Sequence, residues 1–192
     1  MPRALFKDAT IVFDLDGTLV DTAPDLTNAL NDALARRGHA AISQETIRSA
    51  VGFGARVMIE EALRRAGAGE DIDQMLAEFL VHYEANIAAE SRPFPGAVAA
   101  LETLASAGAK LAVCTNKREY LSRKLLGALG IQHYFQSVAG RDTFFLPCRS
   151  PTQATSPKRS RRPAACPPAP SWLATATWIS ARPREPGSRL SW

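Results

Sequence analysis

The chain has no run of about 18 apolar residues, which excludes a membrane-spanning helix. Its three cysteines, Cys114, Cys148 and Cys166, are too few and too scattered for a disulfide framework or a zinc site. His39, His82 and His133 are equally dispersed and give no triad or ligand spacing, so they read as surface or core side chains. The start, MPRALFKDATIVF, lacks the long apolar core and small-residue cleavage site of a signal peptide. Together these absences lead us to expect a soluble, reduced, cytoplasmic protein. Negative charge is also missing from one region. After residue 143 the only acidic residue is Glu185, against Arg149, Lys158, Arg159, Arg161, Arg162, Arg182, Arg184 and Arg189. That stretch carries +7 within a net charge of +4, so the rest of the chain carries −3. The basic isoelectric point belongs to the tail and says little about the folded part.

What is present reads as alternating strands and helices. ATIVFD, residues 9–14, is a short buried strand. TAPDLTNALNDALARR, residues 22–37, has helical spacing and Gly38 as its stop. SQETIRSAV, ARVMIEEALRRAG and DIDQMLAEFLVHYEANIAAE continue the helical pattern, so residues 22–90 read as all-helical. Ser43 suits an N-cap and Glu45 brings a negative charge to the first turn, but Thr46 stands where a capping box needs Glu or Gln. RPFPG, residues 92–96, breaks the pattern. Then AVAALETLASAG reads as helix, KLAVCTN as buried strand, REYLSRKLLGALG as helix and FQSVAG as strand. This order implies parallel strands with helical crossovers, whose ligands bind at the carboxyl ends of strands. Asp14 and Thr115 stand at two such ends, and the helical block between them is large enough to cover a site there.

IVFDLDGTLVDT, residues 11–22, concentrates the chemistry. Asp14 and Asp16 flank Leu15 and share a face if the strand continues. Gly17 permits a turn, and Thr18 adds a hydroxyl that can cap a helix. Two adjacent carboxylates favour a bound cation such as Mg²⁺. One carboxylate can attack phosphorus as a nucleophile, and the other can handle the leaving group's proton.

FDLDGTLVDT resembles motif I of the haloacid dehalogenase superfamily, the aspartate-nucleophile phosphatases, and LAVCTN resembles motif II. VGFGARVMIEEAL, FPGAVAALETLASAGAKLAVCTNK and FQSVAGRDTF look like the phosphoglycolate phosphatase branch, so the resemblance covers residues 9–144. It implies a Rossmann-like α/β core with a parallel sheet, residues 1–20 and 93–144, and an inserted all-helical cap domain, residues 21–92. Asp14 is then the nucleophile and a metal ligand. Asp16 is the general acid/base and binds Mg²⁺ through its backbone carbonyl. Thr115, Asn116, Gly17 and Thr18 are expected around the phosphoryl group, and Gly52, Gly54 and Arg56 face substrate from the cap. Lys117, next after Asn116, is open to a place near phosphate but is read first as a solvated helix start. The implied reaction is Mg²⁺-dependent hydrolysis of a small phosphorylated metabolite, 2-phosphoglycolate first. A different phosphatase, a pyrophosphatase or a phosphomutase shares motif I and stays open, as does the oligomeric state.

The family pattern then breaks. Motif III, a lysine, and motif IV, an apolar strand ending in G-D-S-x-x-D, are missing, so the core is expected to be incomplete after about residue 144. Nine of thirteen prolines and all three tryptophans fall after that point, which reads as a disordered, non-family tail over 145–192. Back-translation with the frame moved by one base restores both motifs. The junctions from Arg149 to Lys158 permit K-P-D-P-G-H-L-T-E, and those from Ser171 to Ser180 permit M-V-G-D-S-D-V-D-I. The tail is therefore expected to be the out-of-frame product of a frameshift near residues 144–148. A reading of another class, an inactive core whose basic tail binds nucleic acid, is set aside because the frameshift accounts for the basic residues. No nucleic-acid or membrane partner is expected.

Overall fold

The computed structural model describes residues 6–7, 9–143 and the backbone of Thr177–Ile179. A four-stranded sheet, all parallel, runs in the order β5 (Phe135–Ala139), β4 (Lys110–Cys114), β1 (Thr10–Phe13) and β6 (Thr177–Ile179). Ile11, Val12 and Phe13 of β1 register with Leu111, Ala112 and Val113 of β4, and all six are buried. Strands buried on both faces need such continuous apolar runs rather than alternation. Side-chain alternation splits the sheet into two faces. Val12, Ala112, Cys114 and Ala139 cluster on one face. Ile11, Phe13, Leu111, Val113 and Val138 join the main core on the other, with Leu101 of α5 (Ala97–Ser106) and Leu121, Leu125 and Leu126 of α6 (Glu119–Ala128).

Between β1 and β4 lies the helical insert: α1 (Ala23–Ala35), α2 (Gln44–Arg48), α3 (Ala55–Ala66) and α4 (Ile72–Ala85). Ser43 caps α2 by accepting from the Thr46 amide at 3.3 Å, as its sequence position suggests. Gly67 ends α3 in the left-handed conformation, where a side chain would be strained. The helices share a core of Leu30, Leu34, Met58, Ile59, Met75 and Phe79. Phe79 and Tyr83 stack one turn apart on α4, ring centroids 5.9 Å apart. Arg37 clamps Glu78 through two hydrogen bonds of 2.7 and 3.0 Å, tying the end of α1 to α4.

Two very short strands, absent from the sequence reading, mark where the chain enters and leaves the insert. β2 (Val20–Asp21) pairs antiparallel with β3 (Arg92–Pro93). Two residues give too little periodicity to detect, and Pro93 is tolerated because the ribbon has only edges. Beside this ribbon the buried Asp25 accepts from the Glu90 amide (2.9 Å), the Ser91 amide (2.8 Å) and the Ser91 hydroxyl (2.6 Å).

Two expectations need correction. The tail was expected to lack regular structure. Instead Thr177–Ile179 pairs parallel with Ile11–Phe13. The physical reason is local: Thr-Trp-Ile is a stretch of strand-forming residues in a Pro-rich segment, and β1 offers an unpaired row of amides and carbonyls. The remainder of the tail lies outside the described residues. Second, Cys114 at the end of β4 is disulfide-bonded, so three reduced thiols is not the state seen. Pairing is a tertiary fact that scattered sequence positions do not reveal. Cys148 and Cys166 lie outside the described residues.

Candidate active site

Asp14 follows the last residue of β1, so the strand delivers its carboxylate to the carboxyl edge of the sheet. Its Oδ1 accepts from the Leu15 amide at 2.7 Å, and the Thr115 hydroxyl bonds it from the end of β4. Burial raises its pKa from 3.8 to about 6, the neighbouring Asp16 charge adds to the rise, and the Leu15 amide, Thr115 and Lys117 oppose it. Thr115 is held in turn, its amide donating to the Ala139 carbonyl of β5 at 3.0 Å.

After Leu15 the chain turns sharply. Gly17 sits at φ +75° and donates its amide to the Val20 carbonyl at 2.9 Å, while the Thr18 amide reaches the Leu15 carbonyl. These two hydrogen bonds close the turn that follows Asp16.

Lys117 differs most from its sequence reading. It is buried, not a solvated helix start. Its Nζ donates to both carboxylate oxygens of Asp16, at 3.1 and 2.9 Å, and lies 4.6 Å from the centroid of the Tyr83 ring on α4. Burial opposes its charge, but Asp16 and Tyr83 outweigh that and raise its pKa. Burial likewise pushes the Tyr83 phenol up. Lys117 therefore bridges the turn after β1 to the helical insert. Its place beside Asn116 put it near the strand end, but the partners that bury it, Asp16 and Tyr83, are distant in sequence.

Gly52 and Asn116 make a second bridge. The Asn116 amide nitrogen donates to the Gly52 carbonyl at 2.7 Å. A Cβ on Gly52 would lie 3.8 Å from the Asp16 carbonyl oxygen and 4.0 Å from Asp14 Oδ2, so the insert presents bare backbone above both aspartates. Gly54 caps the start of α3 at φ +98°, and Arg56 beyond it pairs with Asp73 of α4. A cavity of about 250 Å³ opens here. Asp16, Asn116, Lys117, Arg118 and Arg141 line it from the sheet side. Gly52, Gly54, Arg56, Phe79 and Tyr83 line it from the insert. Asp14, Asp16, Thr115, Asn116, Gly52 and Gly54 are thus brought to one place. Tyr83, Arg118 and Arg141 are additions that the sequence reading missed.

A nucleophile-type carboxylate at a strand end, a second one two residues on and a Thr-Asn pair on the adjacent strand agree with the sequence match, which runs over residues 11–153 to the haloacid dehalogenase-like hydrolases. The chain belongs to that family. It is 48% identical over 136 residues to the phosphoglycolate phosphatase of Agrobacterium fabrum, covering 69% of this chain and 58% of that one. It is 49% identical over 137 residues to that of Caulobacter vibrioides, covering 70% and 58%. A crystal structure of a predicted phosphoglycolate phosphatase from Haemophilus somnus 129pt superposes with a TM-score of 0.68 at 31% identity, covering 73% of this chain and 65% of that one. The chain thus spans less than two thirds of the length of these relatives. Among the described residues, no helix of this family member is long and apolar enough to cross a membrane.

Proposed function

We propose that the site is that of a phosphomonoester hydrolase working through an aspartyl-phosphate, with 2-phosphoglycolate as first substrate. The observation that carries this reading is the meeting of Asp14, Asp16, Thr115 and Lys117 at the carboxyl edge of β1 and β4. An Asp14 oxygen attacks phosphorus, the P–O bond to the alcohol breaks, and the departing alcohol oxygen takes a proton from the Asp16 carboxyl. Water then attacks the aspartyl-phosphate, gives a proton to Asp16, and phosphate leaves with Asp14 restored. Asp16 handles the proton in both steps, and both of its carboxylate oxygens accept from Lys117, at 3.1 and 2.9 Å. The helical insert acts as a cap that excludes water, with Tyr83 and the Gly52 backbone closing on the sheet.

Among the described residues no group of three His, Cys, Asp or Glu side chains could hold a metal. Two oxygens do fit: Asp14 Oδ2 and the Asp16 carbonyl share the space beneath Gly52, and Mg²⁺ takes few protein ligands and keeps waters. These two atoms would hold Mg²⁺, which when bound would offset phosphoryl charge.

We further propose that the chain as written turns over weakly because a frame change replaces motifs III and IV. The change in composition after residue 144 and the end of the family match at 153 support this. Resequencing the gene across codons 140–160 tests it: one gained or lost base must restore the lysine and G-D-S-x-x-D, whereas an unbroken frame sinks the idea. The hydrolase reading is tested by Mg²⁺-dependent release of phosphate from 2-phosphoglycolate, with Asp14→Asn as control. Turnover that survives this substitution removes Asp14 as nucleophile.

A further inference from the structure

Two cationic residues of the cavity have no role in the chemistry above. Arg118 follows β4 and Arg141 follows β5, and both line the cavity from the sheet side. The other two cations there are engaged, Lys117 with Asp16 and Arg56 with Asp73. Neither Arg118 nor Arg141 has an ion-pair partner among the described residues. The carboxylates next to them in sequence turn elsewhere. Glu119 bonds Arg123 at 2.8 Å and the Thr143 hydroxyl at 2.6 Å, and Asp142 accepts from the Glu119 amide at 2.8 Å.

The two loops carrying these arginines are fastened backbone to backbone. The Arg141 amide donates to the Lys117 carbonyl at 3.0 Å. Gly140 lies so close to the other loop that a Cβ there would meet the Glu119 nitrogen at 2.2 Å and the Lys117 carbonyl oxygen at 2.6 Å. Only glycine permits this approach, so the loop spacing is built in rather than incidental. Arg141 reaches toward the insert, its Nη1 3.9 Å from where a Gly54 Cβ would stand. The cavity, about 250 Å³, is smaller than the roughly 300–1,000 Å³ of pockets for drug-sized ligands and suits a small metabolite.

We propose that Arg118 and Arg141 form a subsite for a carboxylate on the substrate, one end of a small molecule whose phosphate faces Asp14. Planar guanidinium groups match a carboxylate's two oxygens, and a carboxylate would restore charge balance on this wall. The proposal rests on the phosphate-site reading above and adds the preference for an acidic phosphomonoester over a neutral one of equal size.

Calorimetric titration of the full chain in Mg²⁺ buffer tests it without requiring turnover. The probes are inorganic phosphate, 2-phosphoglycolate and 2-hydroxyethyl phosphate, in which a hydroxymethyl group replaces the carboxylate. The expected Kd ratio between the two esters is about tenfold in favour of 2-phosphoglycolate. That ratio falls below about twofold in Arg141→Met, and Arg141→Lys retains part of it because the charge stays. A melt followed by circular dichroism establishes that each variant is folded, and Arg118→Met gives a second, independent reading should Arg141→Met not fold. Equal affinities for the two esters in the unaltered chain, alongside measurable phosphate binding, overturn the subsite and leave the phosphate site standing. A full ratio persisting in both Met variants overturns it too. No binding of any of the three probes removes the phosphate site and the subsite together.

Discussion

The sheet and the helical insert meet at the cavity with unlike surfaces. From the strand ends come Asp16, Asn116, Lys117, Arg118 and Arg141, and from the insert come mainly Met58, Leu76, Phe79, Leu80 and Tyr83, with the backbone of Gly52 and Gly54. The charged groups follow buried parallel strands, whose ladder fixes them. The insert adds apolar surface, which desolvates those groups and strengthens every charge interaction among them. The raised pKa of Asp14 is one sign of this, since burial is its largest cause. Charge therefore gathers on one wall of the cavity and apolar surface on the other.

The sharpest test of that division is Asp14→Asn. If the chemistry lives on the sheet, whatever phosphatase turnover the chain has falls by on the order of 10⁴-fold, to background, in a steady-state assay. The melting temperature should not fall with it, because the substitution removes a strained charge. Retained turnover would move the reacting group off β1.

Lys117 bridges the two regions, and it should register in stability. Both it and Asp16 are nearly out of solvent, with side chains 5% and 9% exposed. Lys117→Met leaves Asp16 and Asp14 without a compensating charge and should cost about 3–5 kcal/mol in urea unfolding. Adding Asp16→Asn to that variant should return at least about 1 kcal/mol, the coupling expected of a direct pair. Strict additivity would mean that the two do not interact in solution.

This same residue shows what the sequence could and could not display. The helices and the β1, β4 and β5 strands were legible because each rests on local periodicity and a local stop, as with Gly38 or the Ser43 cap. Asp14 and Asp16 were legible because two carboxylates and a glycine after an apolar strand are a dense local signal. Lys117 was not. Its state depends on Asp16, 101 residues away, and on Tyr83 of the insert, and an exposed helix start is the default for a lysine at that position. Asp25 was hidden for the same reason, since its partners Glu90 and Ser91 lie 65 and 66 residues on. The β2–β3 ribbon was too short for any pattern, and Gly140 gave no sign of the loop pressed against it.

The pH dependence of stability separates the two regions further. The native chain holds the Asp14 proton more tightly than the unfolded chain does, at about 6 against 3.8. Stability from this group is complete below the unfolded value and is lost as pH rises through the folded one. In metal-free buffer the loss between about pH 4 and 6 should reach about 3 kcal/mol at most, and Asp14→Asn should flatten that limb. An unchanged limb in the variant would assign the titration elsewhere. Under the proposed mechanism the Asp14 carboxylate attacks, so activity should rise over the same interval as stability falls.

Asp25 tests the joint between the regions rather than either one. Its carboxylate gathers the Glu90 and Ser91 amides and the Ser91 hydroxyl where the insert returns to the sheet. Asp25→Ala leaves those donors buried without a partner, at a cost of about 2–3 kcal/mol. Exchange of the Glu90 and Ser91 amides with deuterium should accelerate more than that of β1 amides. Uniform acceleration would show that the joint does not open separately from the sheet.

The smallest effect belongs to Arg56, the charged side chain that the insert was expected to turn toward substrate. It lines the cavity and also pairs with Asp73, and both are well exposed, at 41% and 80%. Exposed pairs contribute about 0–1 kcal/mol, so Arg56→Ala should shift the urea midpoint barely at all. Its effect on 2-phosphoglycolate affinity should stay below about threefold, since a guanidinium already held by a carboxylate has little charge left to offer. A loss beyond about tenfold would mean that Arg56 leaves Asp73 when substrate arrives. The insert would then supply charge as well as cover, and the division between the two surfaces would hold only for the empty site.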